Sequence, residues 1–295
     1  MAPAAVEPAQ GRSIWEVLAA GGRLFAAGFL TVFPWVLAAE LTVLLPFAGK
    51  TGNLLDTDIG QLVQVDSLVR ELLIGIVQAV LYGMAVLRLA ELAGGPIRSN
   101  ALWSAVRAAP AILIGYIMYE ILLIAGISLA LLIFMLGVFM LGLWPGLVMC
   151  TVVLAPTAVV STALALFVFP AVLDRRGPFE ALGESARLAK SSWARVSLVV
   201  SVPALVFLVL WIGENGKEVM DILKASLELL QRAQEGASAE ELQAMLPSLR
   251  LSSESHGMVW RSIDALLGAL SWWYALAVCY AQYRDLKLRA DARPH

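Results

Sequence analysis

The longest uncharged stretch of the chain limits what it can fold into. From Pro110 to Leu173 there are 64 residues, and their only formal charge is Glu120. A helix needs about 20 apolar residues to cross a bilayer core about 30 Å thick. This stretch is therefore too long for one membrane span and long enough for two. Its best break is GLWPG at 142–146, because proline and glycine interrupt helices and tryptophan favours the membrane interface.

The same length rule, applied to the whole chain, predicts an all-α bundle of six transmembrane helices. The predicted spans cover about residues 24–47, 69–92, 110–140, 147–173, 196–213 and 258–281. The composition agrees, since only 15 % of the residues are charged, against about 25 % in a soluble domain. Residues 1–295 are expected to form a single membrane domain with a flexible N-terminus at 1–12. Nothing in this composition supports nucleic-acid binding.

The distribution of Lys and Arg predicts the orientation. With the N-terminus inside, the cytoplasmic side carries 14 cations: Arg12, Arg23, Arg88, Arg98, Arg107, Arg175, Arg176, Arg187, Lys190, Arg195, Arg284, Lys287, Arg289 and Arg293. The other side carries 7: Lys50, Arg70, Lys217, Lys224, Arg232, Arg250 and Arg261. Because Lys and Arg are enriched in cytoplasmic loops, we expect both termini in the cytoplasm.

The basic segment between the fourth and fifth spans is predicted to be a helix that lies in the cytoplasmic interface. An apolar stripe recurs at helical steps: Phe179, Leu182, Ala186, Ala189 and Trp193. A polar stripe runs beside it: Glu180, Glu184, Arg187 and Ser191. The predicted lipid-binding residues are Arg175, Arg176, Arg187, Lys190, Arg195 and Trp193, because cations attract anionic headgroups. An ordinary solvated loop helix is the other interpretation.

Similar segments precede two other spans. SIWEVLAAGGRLF comes before the first span and SNALWSAVRAAPAIL before the third. An interfacial helix followed by two spans would then be a unit repeated three times. Chance similarity among alanine-rich helices explains the same observation, and both interpretations remain open.

Three acidic residues fall inside predicted spans: Glu40, Glu120 and Asp264. A carboxylate in a bilayer is costly and therefore marks a candidate functional site. Arg261 lies one turn before Asp264 and is expected to pair with Asp264 or Glu40. Glu120 is expected to lie among four polar side chains: Gln78, Tyr82, Tyr116 and Tyr119. Two interpretations remain, polar contacts between helices and a path for protons or solute.

A polar loop at 214–257 is predicted to be an extracytoplasmic helical hairpin. Its apolar stripe consists of Val219, Ile222, Leu223, Leu227 and Leu230. Such a stripe must be covered, either by the membrane domain itself or by a partner, for example another membrane protein complex. The stripe therefore gives the candidate partner-binding residues.

Sites for catalysis, metal or cofactor are not predicted. The chain has two histidines, which argues against an imidazole metal site. GKT at 49–51 lacks the first glycine of a phosphate loop, and GESAR at 183–187 lacks the last glycine of a nucleophile elbow. We expect a protein without enzymatic activity.

The order of segments resembles a known family. A basic AxxWSAVRAAPAIL segment at 101–114 leads to two spans joined through WPG, and FPAVLDRRGPFEALGESARLAKSSWARV follows at 169–196. This order is similar to the YciC-like bacterial inner-membrane proteins and, more distantly, to the membrane domain of some glycerophosphodiester phosphodiesterases. The positions that carry the resemblance are Pro170, Asp174, Gly177, Ala181, Ser185, Leu188 and Trp193. The resemblance covers about residues 68–212, and the long loop at 214–257 departs from it.

The resemblance implies a multi-pass protein of the bacterial inner membrane with a role in envelope or lipid homeostasis. No catalytic residue is carried over by it. We therefore expect a non-enzymatic protein that binds membrane lipid or another amphiphile. An accessory subunit of a larger membrane complex and a proton-coupled transporter of small solutes are the alternatives.

Overall fold

The structure, a computed structural model, describes residues 12–42, 65–96, 99–190, 192–203 and 258–292, with isolated positions between 205 and 238. Every regular element in these ranges is a helix, which confirms the predicted all-α fold. The helices are α1 (Ile14–Ala27), α2 (Phe33–Leu41), α3 (Val65–Leu92), α4 (Ala101–Leu141), α5 (Leu143–Leu164), α6 (Val168–Leu173), α7 (Pro178–Lys190), α8 (Trp193–Pro203) and α9 (Met258–Asp291).

Four stretches of the described chain are long and apolar enough to cross a membrane. They are Val69–Leu92, Ala101–Met140, Trp144–Leu173 and Ala265–Asp291. They correspond to the second, third, fourth and sixth predicted spans, and they indicate a membrane protein. The described parts of the first and fifth predicted spans are shorter, since α2 has 9 residues and the continuous described stretch of α8 is Trp193–Pro203.

Helices α4 and α5 form a tight hairpin whose turn lies at Gly142. This residue has φ +93°, a backbone conformation that favours glycine. The turn lies within the predicted break at 142–146, but WPG belongs to the first turn of α5. The two helices approach closely, because a Cβ atom on Gly137 would lie 2.7 Å from the Cα atom of Gly146. The basic segment at 101–110 is continuous with the third span and does not form a separate helix.

The first predicted span is interrupted at residues 28–32, where the sequence predicts only a kink at Pro34. Trp273 of α9 explains the interruption. Its indole N–H donates to the carbonyl of Phe25 at 3.1 Å, and the two rings stack. A Cβ atom on Gly28 would lie 2.6 Å from the Trp273 ring. The chain therefore turns around this tryptophan, and Pro34 lies in the first turn of α2.

The buried core is formed by α2, the second half of α3, the start of α4, α6, α7 and the part of α9 from Ala269 onwards. We call the part of this core where α3 ends, α4 begins and α9 ends the basic end. Arg88, Arg107 and Arg284 belong to these same segments. Away from it, α4 and α5 expose large apolar side chains, for example Phe139 at 87 %. Outward apolar surface of this kind suits contact with lipid.

Candidate functional site

Helix α7 buries a different face from the predicted one. Its buried residues are Ala181, Leu182, Glu184, Ser185, Leu188 and Ala189. Leu182 and Ala189 of the predicted apolar stripe are among them, whereas Phe179 is 68 % exposed and Trp193, at the start of α8, is 53 % exposed. Glu184, predicted on the polar stripe, is buried. The prediction of these two stripes was therefore partly wrong.

Ion pairing is the physical reason that Glu184 is buried. Arg187 donates to both carboxylate oxygens, at 2.8 and 2.6 Å, and Arg176 lies 3.3 Å away. The bond from Arg187 holds the pKa of Glu184 below its ordinary value. Ser185 beside it donates to the carbonyl of Ala163 at 2.6 Å and fixes α7 against the end of α5. Two of the predicted lipid-binding cations thus share one buried carboxylate.

Arg195, a third predicted lipid-binding cation, lies in a buried polar junction. Its guanidinium is 3.0 Å from Asp285, and Arg289 is 2.8 Å from the same carboxylate oxygen. Asp285 is only 4 % exposed. Arg289 also donates to the carbonyl of Arg12 at 2.8 Å. This junction joins α8, α9 and the segment before α1. It leaves little of the Arg195 side chain exposed for contact with a lipid headgroup.

Four exposed residues remain as the candidate lipid-facing site, which we call the basic surface: Arg175, Lys190, Phe179 and Trp193. In the described part of the chain neither Arg175 nor Lys190 forms an ion pair. Arg175 has φ +55°, in the left-handed region that non-glycine residues rarely adopt. Strain of this kind often accompanies function.

The loop that carries Arg175 is held from α9. Lys287 pairs with Asp174 at 2.5 Å, and the Tyr283 hydroxyl donates to the other Asp174 oxygen at 2.9 Å. The ring of Tyr283 stacks on Phe169 of α6. These contacts fix the backbone immediately before Arg175. Tyr283 and Lys287 were not among the predicted site residues, because no local pattern relates them to a loop more than 100 positions earlier.

Glu40 lies in a second polar region, which we call the polar crevice. The Tyr82 hydroxyl of α3 donates to one Glu40 carboxylate oxygen, and Gln78 donates to the carbonyl of Ala39 at 3.3 Å. Gln78 and Tyr82 therefore contact α2, whereas the sequence predicted that they would lie beside Glu120. Tyr116 of α4 lies close to Glu120 and, at longer range, near Glu40.

Several predicted site residues fall outside the described part of the structure. The side chains of Arg261 and Asp264 are among them, as are Val219, Ile222, Leu223, Leu227 and Leu230. The predicted pairing of Arg261 and the predicted hairpin at 214–257 thus stay predictions. Within the described ranges, no group of three or more His, Cys, Asp or Glu side chains is placed to hold a metal ion.

Comparison with known proteins adds no relative. No protein family, curated protein or solved structure matches the chain. The candidate sites therefore rest on the geometry of this chain alone.

Proposed function

We propose that the chain is a non-enzymatic, multi-pass protein of a bacterial inner membrane that binds anionic lipid at the basic surface and supports envelope or lipid homeostasis. One observation carries the proposal: Arg175, Phe179, Lys190 and Trp193, which lie between positions 175 and 193, are all exposed. Cations attract anionic headgroups, and aromatic rings prefer the boundary between headgroups and acyl chains. A loop in water has no such use for exposed aromatic rings.

The proposal includes six spans, cytoplasmic interfacial segments and cytoplasmic termini. In it, α1 and α2 form a broken first span, and α8 begins the fifth. The length of α4 supports an interfacial segment, since 41 residues extend about 60 Å, roughly twice the thickness of the bilayer core. Its first turns carry Trp103 with the Arg107 guanidinium 5.2 Å from the ring centroid. A paired cation and tryptophan suit the headgroup region.

A binding measurement with a matched control tests the proposal. Arg175→Gln with Lys190→Gln removes two exposed cations and leaves the backbone at position 175 equally strained. In nonionic detergent, the Kd for fluorescent phosphatidylglycerol should rise by about 5-fold for each of the two cations that contacts the headgroup, since one such cation contributes about 1 kcal/mol. The control, Arg70→Gln with Arg232→Gln, removes two cations from the opposite predicted side and should leave the Kd unchanged. Equal affinity in all three proteins would assign α7 to a solvated loop.

A further inference from the structure

Among the described residues, only one of the two Glu40 carboxylate oxygens has a hydrogen-bond partner. Oε1 accepts the hydrogen bond from Tyr82. Oε2 is directed towards Gly268 of α9, where a Cβ atom would lie 3.6 Å away. Within the described residues, no Lys or Arg lies within ion-pair distance of Glu40. A carboxylate among apolar helices needs a positive partner, a proton or water, so a ligand cation beside the second oxygen would stabilise its charge.

Two aromatic rings lie near this carboxylate. Tyr82, which donates to it, meets Trp272 edge to face, with the ring centroids 6.3 Å apart. Ring faces carry negative potential and attract organic cations within about 6 Å of the centroid. A carboxylate beside two rings is the combination that recognises an ammonium group.

Exposed aromatic side chains of candidate membrane spans lie on the elements around the polar crevice. Helix α2 packs against both α3 and α9, so Glu40 lies between these two longer helices. Trp272 is 48 % exposed and Tyr116 is 46 % exposed. Both side chains belong to candidate membrane spans, where exposed surface contacts acyl chains. A ligand would therefore enter laterally from the bilayer and carry an apolar chain.

We propose that the polar crevice binds the ammonium group of a cationic amphiphile, with Glu40 as its counter-ion and Tyr82 and Trp272 as its aromatic contacts. This site goes beyond the proposed function, because it selects the opposite charge from the basic surface. The two sites share none of their residues. Each can fail while the other stands.

Binding of radiolabelled dodecyltrimethylammonium to the full chain in dodecyl maltoside tests this site. The wild type should bind the probe saturably, with competition by unlabelled probe and none by dodecyl sulfate. Glu40→Gln keeps the shape of the side chain and removes its charge, so the affinity should fall at least about ten-fold. Phosphatidylglycerol binding should be unchanged in this variant.

Gly268→Ala gives a test that is independent of the Glu40 charge. Its methyl group makes only an ordinary contact and should not disturb folding, but it fills the space beside Oε2. Probe binding should fall by a similar factor. Gly22→Ala is the matched control, because its Cβ atom meets nothing within 4 Å, and it should bind as the wild type does. Wild-type affinity in Gly268→Ala, or equal binding by the wild type and Glu40→Gln, would overturn the proposal. Proton flux in liposomes that depends on Glu40, without probe binding, would overturn it in favour of proton transfer.

Discussion

At the scale of single residues, Asp285 is a buried carboxylate that two arginine side chains share. It is almost fully buried and lies within 3.0 Å of Arg195 and 2.8 Å of Arg289. Loss of hydration would make the buried Asp285 charge unfavourable without these arginines. The sequence does not reveal this arrangement, because Asp285 stands in a polar helix end that reads equally well as a solvated tail. Its burial depends on Arg195, which lies 90 positions earlier.

Asp285→Asn should therefore lower the free energy of unfolding by roughly 1–3 kcal/mol, since it leaves two partly exposed guanidinium groups without the charge of their buried carboxylate. Denaturant titration in mild detergent, followed by circular dichroism, measures the change. Asp291→Asn is the matched control, because that side chain is exposed at the end of the same helix, and its effect should stay within about 0.5 kcal/mol. Similar small losses in both variants would mean that the junction is hydrated.

At the scale of elements, α7 and the α4–α5 hairpin differ in how far the sequence determines them. The hairpin follows from local information, since an uncharged run of that length needs a break and Gly142 lies in the one segment that offers it. The face that α7 buries does not follow from local information. Phe179 is more apolar than Ser185, yet Ser185 is buried because Ala163 accepts its hydrogen bond. Such a contact depends on the fold and leaves no periodic pattern.

The attachment of α7 should depend on pH through Glu184. Its pKa is lowered from the ordinary 4.5, chiefly by the hydrogen bond from Arg187. The carboxylate therefore stabilises the folded state fully above the ordinary pKa, and the contribution is lost as pH falls through the lowered value. The difference in unfolding midpoint between the wild type and Glu184→Gln should be constant above about pH 5 and should shrink at lower pH. Arg187→Gln should reduce the same difference, and a constant difference down to pH 3 would contradict the pairing.

At the scale of the whole molecule, the sequence predicts the fold class and four of the spans, and it leaves the internal contacts undetermined. Hydropathy registers length and apolarity, so it identifies α3, α4, α5 and α9. A hydropathy profile cannot predict that Trp273 divides the first predicted span or that Tyr82 contacts Glu40. Trp273 lies 248 positions from its partner Phe25, and Tyr82 lies 42 positions from Glu40. The polar crevice and the polar junction both arise from contacts of this kind.

The proposed orientation predicts where reporters will be found. Fusions of a periplasm-active and a cytoplasm-active reporter after Asp58 and Ser238 should report the periplasm, and a fusion after His295 should report the cytoplasm, because Lys and Arg are concentrated on that side. A cytoplasmic signal after Ser238 alone would remove both of the last two proposed spans, because the loss of a single one would also move His295 to the other side. The same signal at all three positions would exclude the six-span arrangement.

The contacts of α9 have a consequence for the order in which the protein is made. Arg289 donates to the carbonyl of Arg12, Arg284 donates to that of Ala93, and Lys287 pairs with Asp174. The ribosome adds Arg284, Lys287 and Arg289 after it has synthesised every other described helix. The earlier helices therefore lie in the bilayer without these three contacts until α9 is complete. In a stalled chain that lacks residues 284–289, the basic end stays unpaired and accessible to the proteases of membrane quality control.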